Sequence, residues 1–335
     1  MIKSPLVLAK KHERYLLRRI FFLCNDGLKE DLRPRILRYV DLIFSSKIRT
    51  PTRDETAMYE AVAASVNSAC LSRQVGASIL SKDGELIAVG WNDVPKFGGG
   101  LYREDDQHTY NTSESRFLNH DHRCFLWKGG VCHNEDKRKS IINDICEKLY
   151  NSSIVKRGIS KKDIEDILEG NGVDSLIEFS RSIHAEMEAL ISVAREGKNS
   201  LVGARLFTNT YPCHNCARHI VAAGVSEVLY IEPYRKSLAI ELHSDSITEN
   251  PKDSNINEKV LFRQYDGVSP KNYLKLFKSV NERKRDGKVT KKNPKTLIPL
   301  FNVPLDAMID YELLTVDRLA KKEQSAAVRT EVKDD

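Results

Sequence analysis

The sequence predicts an α/β fold, a three-layer α/β/α sandwich around a mixed five-stranded sheet with N-terminal helices and a long insertion. Short apolar runs of strand length alternate with longer runs whose apolar residues recur at helical spacing, a pattern typical of a sheet covered by helices. In addition, Asp83-Gly84 separates two strand-like runs by a two-residue turn, which indicates a β-hairpin.

The first 180 residues are predicted to contain helices, the hairpin and the insertion, in that order. Asn25-Asp26-Gly27 divides the first two helices, and Thr52 can cap the third by forming a capping box with Glu55. The predicted elements are helices at roughly 7–24, 31–46 and 53–69, strands at 75–80 and 86–90, and helices around 135–150 and 160–169 within the insertion 93–180.

The remainder of the chain also alternates helix and strand. Ser182 can cap the helix that follows it, Pro212 is tolerated in the first turn of the next helix, and Gly224 ends that helix. The other predicted elements are strands at 204–209, 227–231 and 260–265 and a helix at 305–322.

The composition is that of a globular protein without membrane segments. Apolar residues make up 41% of the chain and charged residues 30%. There is no run of 18 apolar residues, and the apolar stretch within 1–10 is too short for a signal peptide. The seven cysteines show no secreted disulfide framework. We therefore expect a cytoplasmic protein with no membrane partner.

Positive charge is concentrated near the N-terminus. Residues 1–50 contain 12 Lys/Arg and 5 Asp/Glu, a net of +7, whereas the whole chain carries +6. A second basic run lies at 283–292. Such runs can contact a polyanion or can be solvated helix faces and tails, and the apolar residues at helical spacing within 1–50 favour a helix face. We predict a basic helical segment 1–50, a central domain 51–280 and a basic tail 281–335.

Four residues form a candidate catalytic centre. His184, Cys213 and Cys216 supply an imidazole and two thiols at a spacing that suits tetrahedral Zn²⁺, with a fourth position left for water. Glu186 follows the histidine by two residues, so it is expected beside that water without binding the metal. A C-x-x-C alone also suits a redox pair, but all four residues in this order favour zinc.

This H-x-E…P-C-x-x-C pattern resembles the signature of zinc-dependent deaminases. In them the metal generates hydroxide and the glutamate transfers protons during attack on an amidine carbon. For cytosine, Glu186 is expected to accept the proton of water, deliver it to N3 and then protonate the leaving amine.

Further motifs resemble those of the deoxycytidylate deaminase family. They are Ser72-Arg-Gln-Val-Gly-Ala, Gly90-Trp-Asn-Asp-Val-Pro, His184-Ala-Glu-Met-Glu-Ala and Tyr211-Pro-Cys-His-Asn-Cys-Ala. More narrowly, Pro51-Thr-Arg-Asp-Glu and Asn92-Asp-Val-Pro-Lys-Phe-Gly-Gly-Gly-Leu-Tyr resemble the deaminase portion of bacterial anti-phage dCTP deaminases. The resemblance covers about 51–270.

The resemblance implies hydrolytic deamination of a free deoxycytidine nucleotide, dCTP or dCMP, to deplete the pool that a replicating phage needs. The glycine loop described below favours dCTP over dCMP, and the alternative is a housekeeping dCMP deaminase. Two features depart from the relatives: the chain has no G-x-x-x-x-G-K-[ST] motif, and Asn209 stands where many relatives have Thr. The family also commonly forms homo-oligomers, which we expect here.

Substrate contacts are expected from residues near the hairpin and the following loop. Asn92 offers donor and acceptor groups to the nucleotide, although an Asn at a strand end is also a common turn residue. Gly98-Gly99-Gly100 can approach a phosphate chain, or it can be a flexible linker. The phosphate candidates are Arg73, Lys96, Arg103 and Arg235.

Two other functions fit the sequence less well than a free-nucleotide deaminase does. A deaminase acting on nucleic-acid bases is disfavoured, because the insertion 93–180 would crowd a polymer groove and no aromatic residues alternate with basic ones as a stacking platform. A binding module with structural zinc only is disfavoured because it has no need for Glu186.

The insertion also contains a candidate second zinc site. Its residues are His120, His122, Cys124, Cys132 and His133. Their types and spacing allow Zn²⁺, and some deoxycytidylate deaminases carry an additional structural zinc. The alternative is exposed histidines and unligated cysteines near a lid.

Overall fold

The structure is a computed structural model that describes residues 19–24, 29–106, 108–113, 115–119, 121–152, 154–155, 158–168, 176, 178–279, 282–290 and 292–301. These residues form two compact units, 19–24 with 51–274 and 29–50 with 275–301. The predicted segment 1–50 is therefore shared between the units. The helix predicted at 305–322 and most of the helix predicted at 7–24 lie outside the described residues.

The described elements follow the predicted order. The α-helices are Lys29–Ile43 (α1), Arg53–Ser65 (α2), His133–Tyr150 (α3), Lys161–Leu168 (α4), Ala185–Glu196 (α5), His214–Ala222 (α6), Ala239–Leu242 (α7) and Tyr273–Phe277 (α8). The strands are Phe21–Phe22 (β1), Gly76–Leu80 (β2), Leu86–Trp91 (β3), His108–Asn111 (β4), Arg116–Asn119 (β5), Arg205–Thr210 (β6), Glu227–Glu232 (β7), Ile247–Thr248 (β8), Val260–Gln264 (β9), Gly267–Val268 (β10), Lys284–Arg285 (β11) and Lys288–Val289 (β12). None of the described helices combines the length and apolarity needed to cross a bilayer.

The central sheet of the first unit has the strand order β3-β2-β6-β7-β9-β8. Strand β2 is antiparallel to β3 and β6, whereas β6, β7, β9 and β8 run parallel to one another. The predicted mixed sheet is confirmed, but it has six strands rather than five. The additional strand is β8, where Ile247 pairs with Val260 at the sheet edge. Its two residues are too few to show an alternating pattern in the sequence.

Helices cover both faces of this sheet, as the sequence predicts. Leu206 and Val228 point to one face and pack with the apolar residues of α5 and α6. Their neighbours Phe207 and Leu229 point to the opposite face and pack with Ala57, Met58 and Ala61 of α2. Successive residues of these strands therefore face two different cores, which explains why two apolar residues stand side by side in each strand.

Two glycines allow the helices to approach the sheet closely. A Cβ atom at Gly76 would lie 1.9 Å from the carbonyl oxygen of Ala61 in α2. On the other face, a Cβ atom at Gly90 would lie 2.5 Å from the carbonyl oxygen of Ala185 in α5. Because both obstacles are backbone atoms, no larger side chain fits at either position without moving a helix.

Helix α2 begins as predicted and ends earlier. The Thr52 hydroxyl accepts a hydrogen bond from Glu55 N, and Glu55 Oε2 accepts one from Thr52 N at 2.8 Å, which confirms the capping box. The helix ends at Ser65 rather than at 69. Just after this end, Asn67 Nδ2 donates a hydrogen bond to the carbonyl of Ala64 at 2.9 Å. In a longer helix a backbone N–H of the next turn would bond this carbonyl, so the side chain competes with continuation of the helix.

The predicted first helix is wrong at its described end. Phe21 and Phe22 form a strand that pairs with Val268 and Gly267. The Phe22 ring also lies edge-on to Tyr265, with ring centroids 5.9 Å apart. A long-range strand pairing has therefore overridden the local helical spacing.

The insertion has its own small core. Strands β4 and β5 form an antiparallel hairpin, and both predicted helices are present as α3 and α4. Ile142 and Cys146 of α3 pack against Ile164 of α4, and all three are buried.

Candidate metal and active site

Two helices of the same layer begin at candidate metal ligands. His184 is the N-cap of α5 and Cys213 is the N-cap of α6. The predicted N-cap at Ser182 is therefore corrected to His184, and Pro212 precedes the helix rather than lying in its first turn. Ile183 N donates to the carbonyl of Asp93 at 3.0 Å, so Ile183 stays extended and α5 can begin only after it.

The side chains of His184, Cys213 and Cys216 converge on one point. His184 Nδ1 lies 3.3 Å from Sγ of Cys213 and 3.3 Å from Sγ of Cys216. Zinc bonds of about 2.0 Å to nitrogen and about 2.3 Å to sulfur at a tetrahedral angle separate two ligands by roughly 3.5 Å, so this donor group fits Zn²⁺. No other three His, Cys, Asp or Glu side chains within the described ranges bring their ligand atoms within 4.8 Å of one another.

The electrostatics of the three donors also suit a divalent cation. Hydrogen bonds from Cys216 and from His184 lower the pKa of Cys213 to about 4, so this residue is a thiolate at neutral pH. The hydrogen bond with Cys213 raises the pKa of His184 to about 9. The Cys213 sulfur also accepts a hydrogen bond from Cys216 N at 3.5 Å. Protons are thus shared among the three donors, and a metal ion replaces such protons when it binds.

Glu186 lies directly beside this group. Its Oε2 accepts a hydrogen bond from Cys216 Sγ at 3.5 Å, and the residue is only 4% exposed. Burial raises the pKa of the Glu186 carboxyl above its usual value. A carboxyl with a raised pKa holds a proton more readily than a free glutamate does, which suits a group that must both accept and donate a proton.

A cavity of about 190 Å³ is lined by His184, Glu186 and Cys213. Two of the predicted substrate contacts, Arg73 and Asn92, also line it. Both polar atoms of the Asn92 side-chain amide form hydrogen bonds with the backbone. Oδ1 accepts a hydrogen bond from Val75 N, and Nδ2 donates one to the carbonyl of Arg73, each at 2.7 Å. Asn92 therefore holds the turn that carries Arg73 in place.

Asp93 is a positioning residue that the sequence did not single out. It is 1% exposed, and its Oδ2 accepts a hydrogen bond from Ala69 N at 2.9 Å. Its carbonyl oxygen pairs with Ile183 N, as described above. Asp93 therefore connects the segment around Cys70, which lines the cavity, to the residue that precedes His184.

The other predicted phosphate contacts do not line the cavity. Lys96 forms an ion pair with Asp106, 2.6 Å between Nζ and Oδ1. The guanidinium of Arg103 lies over the Trp91 ring, 4.7 Å from its centroid, and Arg235 is exposed. Arg73 itself forms an ion pair with Glu232. Within the described residues, Arg73 is therefore the one lysine or arginine that lines the cavity.

Some lining residues were missed at the level of sequence. Asn134, at the start of α3, donates from Nδ2 to the carbonyl of Leu176 at 3.0 Å, while its Oδ1 is buried and accepts no hydrogen bond from any described residue. The hydroxyl oxygen of Thr210 is also buried and has no hydrogen-bond partner among the described residues. Tyr234 completes this wall. No spacing rule links these positions to the zinc motif, so only the fold identifies them.

The second predicted cluster lies partly outside the described residues, and no three of its described members bring their ligand atoms together as a metal site. His120 lies outside the described residues. The rings of His122 and His133 lie near Trp127, with centroids 5.8 Å and 5.4 Å from its ring. Burial raises the pKa of the Cys124 thiol, and the nearby thiols of Cys70 and Cys132 raise it further. Cys70 is thus a further candidate for this cluster, whose metal role stays a prediction.

The chain matches known proteins over the part that carries this site. Residues 51–232 match the family described as "Cytidine and deoxycytidylate deaminase zinc-binding region". The deoxycytidylate deaminase of Enterobacteria phage T2 is 26% identical over 182 residues, which are 54% of this chain and 81% of that protein. That of Saccharomyces cerevisiae is 36% identical over 81 residues, 21% of this chain and 25% of that protein. A crystal structure of the cyanophage S-TIM5 dCMP deaminase in complex with dCMP and dUMP is 20% identical, with a TM-score of 0.36, covering 65% of this chain and 99% of that chain.

Removing a ligand of the candidate metal centre is expected to remove metal and stability together. We expect Cys213→Ser and His184→Ala each to lose one equivalent of bound zinc and to lower Tm by more than about 5 °C, because metal binding contributes folding free energy. Zinc content by mass spectrometry and thermal unfolding measure the two effects. Cys24→Ser is the control, since Cys24 does not line the cavity. Full zinc occupancy in either ligand variant would contradict the assignment.

The second cluster makes a separate prediction about metal content. If it binds zinc, the wild-type chain holds two equivalents, and Cys124→Ala or Cys70→Ala lowers the content to one. Elemental analysis of the purified protein measures this content. A value of one in the wild type and in both variants would leave the cluster without a metal role.

Proposed function

The chain belongs to the cytidine and deoxycytidylate deaminase family, and we propose that it converts a free deoxycytidine nucleotide to the corresponding deoxyuridine nucleotide and ammonia. The observation that carries the proposal is the position of Glu186. It is a buried carboxyl within hydrogen-bonding distance of a His/Cys/Cys donor group, and it faces a cavity large enough to admit a ring. This combination suits hydrolysis at an amidine carbon better than it suits structural zinc alone.

In the proposed mechanism, His184, Cys213 and Cys216 would hold a zinc ion, which when bound would act as the Lewis acid that makes water nucleophilic near neutral pH. Glu186 accepts a proton from the attacking water and donates it to N3 of the cytosine ring. The carboxylate then takes the remaining proton from the hydroxyl that has added to C4 and donates it to the amine, which leaves as ammonia while the C4 carbonyl forms. Burial of Glu186 supports both roles, because it raises the pKa of the carboxyl and so favours its protonated form more than in a free glutamate.

The phosphate state of the substrate follows from the charges around the cavity. A triphosphate carries about four negative charges at neutral pH and needs several cations or Mg²⁺, whereas a monophosphate needs one or two. Among the described lining residues Arg73 is the single lysine or arginine, and Glu232 offsets part of its charge. This count favours dCMP as the preferred substrate.

A second candidate is deamination of dCTP in defence against phages. It is supported by the resemblance of the Asn92–Tyr102 stretch to anti-phage dCTP deaminases, with Gly98-Gly99-Gly100 between Lys96 and Arg103. Because neither cation lines the cavity, dCTP binding requires this loop to move, a Mg²⁺ ion or cations from a second subunit. The expected homo-oligomer stays a prediction.

The proton-transfer role predicts the effect of Glu186→Gln. We expect this variant to keep its zinc and its Tm but to lose deamination activity roughly 10³- to 10⁴-fold, because the amide cannot accept the proton of water. Ammonia release and zinc content should be measured on the same sample. Glu196→Gln, at the exposed end of the same helix, is the control. Turnover close to wild type in Glu186→Gln would contradict the mechanism.

The phosphate argument predicts a difference between substrates. We expect kcat/KM to be higher for dCMP than for dCTP, and Arg73→Ala to lower kcat/KM for dCMP roughly 10- to 100-fold. The same variant should act on deoxycytidine, which has no phosphate, like the wild type. Lys96→Ala and Arg103→Ala serve as controls with little effect. A higher kcat/KM for dCTP, lowered by those two substitutions, would support the triphosphate instead.

The unpaired oxygen of Asn134 predicts a role in substrate binding. Its Oδ1 can accept a hydrogen bond from a nucleotide donor, so Asn134→Ala should raise KM roughly tenfold while kcat changes much less. Steady-state kinetics on dCMP measure the two constants. Asn151→Ala, which follows the other end of the same helix, is the control. A fall in kcat without a change in KM would exclude this binding role.

A further inference from the structure

The second unit contains a cavity of its own, outside the residues that match the deaminase family. It is lined by residues of α1 and the loop after it, between Asp41 and Arg49, and by residues between Leu276 and Lys292. Its volume is about 530 Å³, which lies in the usual range for small-molecule sites. None of its lining residues lines the cavity beside His184 and Glu186, and all of them lie outside the matched range 51–232.

The lining is strongly basic. The described lining residues include five cations, Lys47, Arg49, Lys278, Arg283 and Lys292, against two carboxylates, Asp41 and Glu282. Both carboxylates are already paired. Asp41 binds Arg49 at 2.6 Å and Lys47 at 3.4 Å, and Glu282 binds Arg285, which does not line the cavity, at 3.3 Å.

Three cations therefore remain without a counter-ion. Lys278, Arg283 and Lys292 form no ion pair with any described residue, although Lys292 donates a hydrogen bond to the carbonyl of Ser45. Cations gathered around a concave surface repel one another, and this repulsion is relieved when an anion binds between them.

The same cavity offers a hydroxyl and an apolar wall. The Thr290 Oγ1 atom is buried and has no hydrogen-bond partner among the described residues. A buried hydroxyl without a partner costs free energy, so a ligand that supplies an acceptor stabilises it. Leu42 and Leu276 are buried residues of the lining, so part of the ligand can be apolar.

We propose that this cavity is a second ligand site, which binds a small molecule carrying two or more phosphate groups. Phosphate oxygens accept charge-assisted hydrogen bonds from lysine and arginine and can also accept from Thr290. A nucleic acid fits less well, because the described lining contains a single aromatic ring, Phe277, and the guanidinium of Arg38 lies over one face of it, 5.9 Å from its centroid. The cavity therefore offers little aromatic surface on which bases can stack.

Calorimetric titration of the full, zinc-loaded chain with sodium tripolyphosphate tests the proposal without any deamination assay. We expect saturable binding with one ligand per chain in phosphate-free buffer. The double variant Lys278→Ala/Arg283→Ala should weaken it tenfold or more, because two charge-assisted contacts are lost. Lys284→Ala/Lys288→Ala is the matched control, since it removes the same charge from the neighbouring hairpin outside the lining.

A third variant distinguishes a loss of ligand binding from a loss of folding. Thr290→Val keeps the shape of the side chain and the net charge, so it should retain Tm and weaken binding by a smaller factor. Equal weakening in the lining and control double variants would show non-specific charge attraction and overturn the proposal. Absence of saturable binding would also overturn it. So would a single-stranded oligonucleotide that binds more tightly and displaces tripolyphosphate, because the cavity would then be a nucleic-acid site.

Discussion

The active site depends on the meeting of two helix N-termini on one face of the sheet. His184 caps α5 and Cys213 caps α6, so the groups that begin these helices are also the donors of the candidate metal centre. A helix N-terminus favours negative charge, which agrees with a thiolate at Cys213. The close contact of Gly90 with the backbone of α5 fixes how near that helix lies to β3. A change in this distance would move His184 and Glu186 together.

The strand end at Asn92 and Asp93 joins the remaining walls of the cavity to this helix pair. Asn92 bonds both ends of the turn from Arg73 to Val75, and Asp93 bonds Ala69 and Ile183. These contacts are buried, where an unmatched polar group costs more free energy than at the surface. The cation that lines the cavity and the candidate zinc ligand are therefore positioned by two adjacent residues. Asn92, which the sequence predicts as a substrate contact, thus acts through its hydrogen bonds to the backbone of Arg73 and Val75.

Charge is distributed differently at the two cavities, and this difference separates their proposed ligands. The active-site cavity has Arg73, whose guanidinium is paired with Glu232, so it suits a ligand with little charge beyond one phosphate. The cavity of the second unit has three cations that form no ion pair with any residue the structure describes, so it suits a ligand with several phosphates. In each cavity, the negative charge that a ligand can neutralise depends on how many cations are not already paired with a carboxylate. The number of lysines and arginines in the sequence does not determine it.

The sequence by itself determined what depends on short spacing. The order of strands and helices, the capping box at Thr52, the hairpin and the set His184, Glu186, Cys213 and Cys216 all follow from patterns within one or two turns of chain. Only the tertiary structure decided which distant residues meet. It paired Phe21–Phe22 with Gly267–Val268, added β8 to the sheet, brought Asn134 to the cavity and turned Lys96 toward Asp106. The spacing of apolar residues in the sequence indicates which residues are buried. Which other residues they contact is determined by packing between segments that are far apart in the chain.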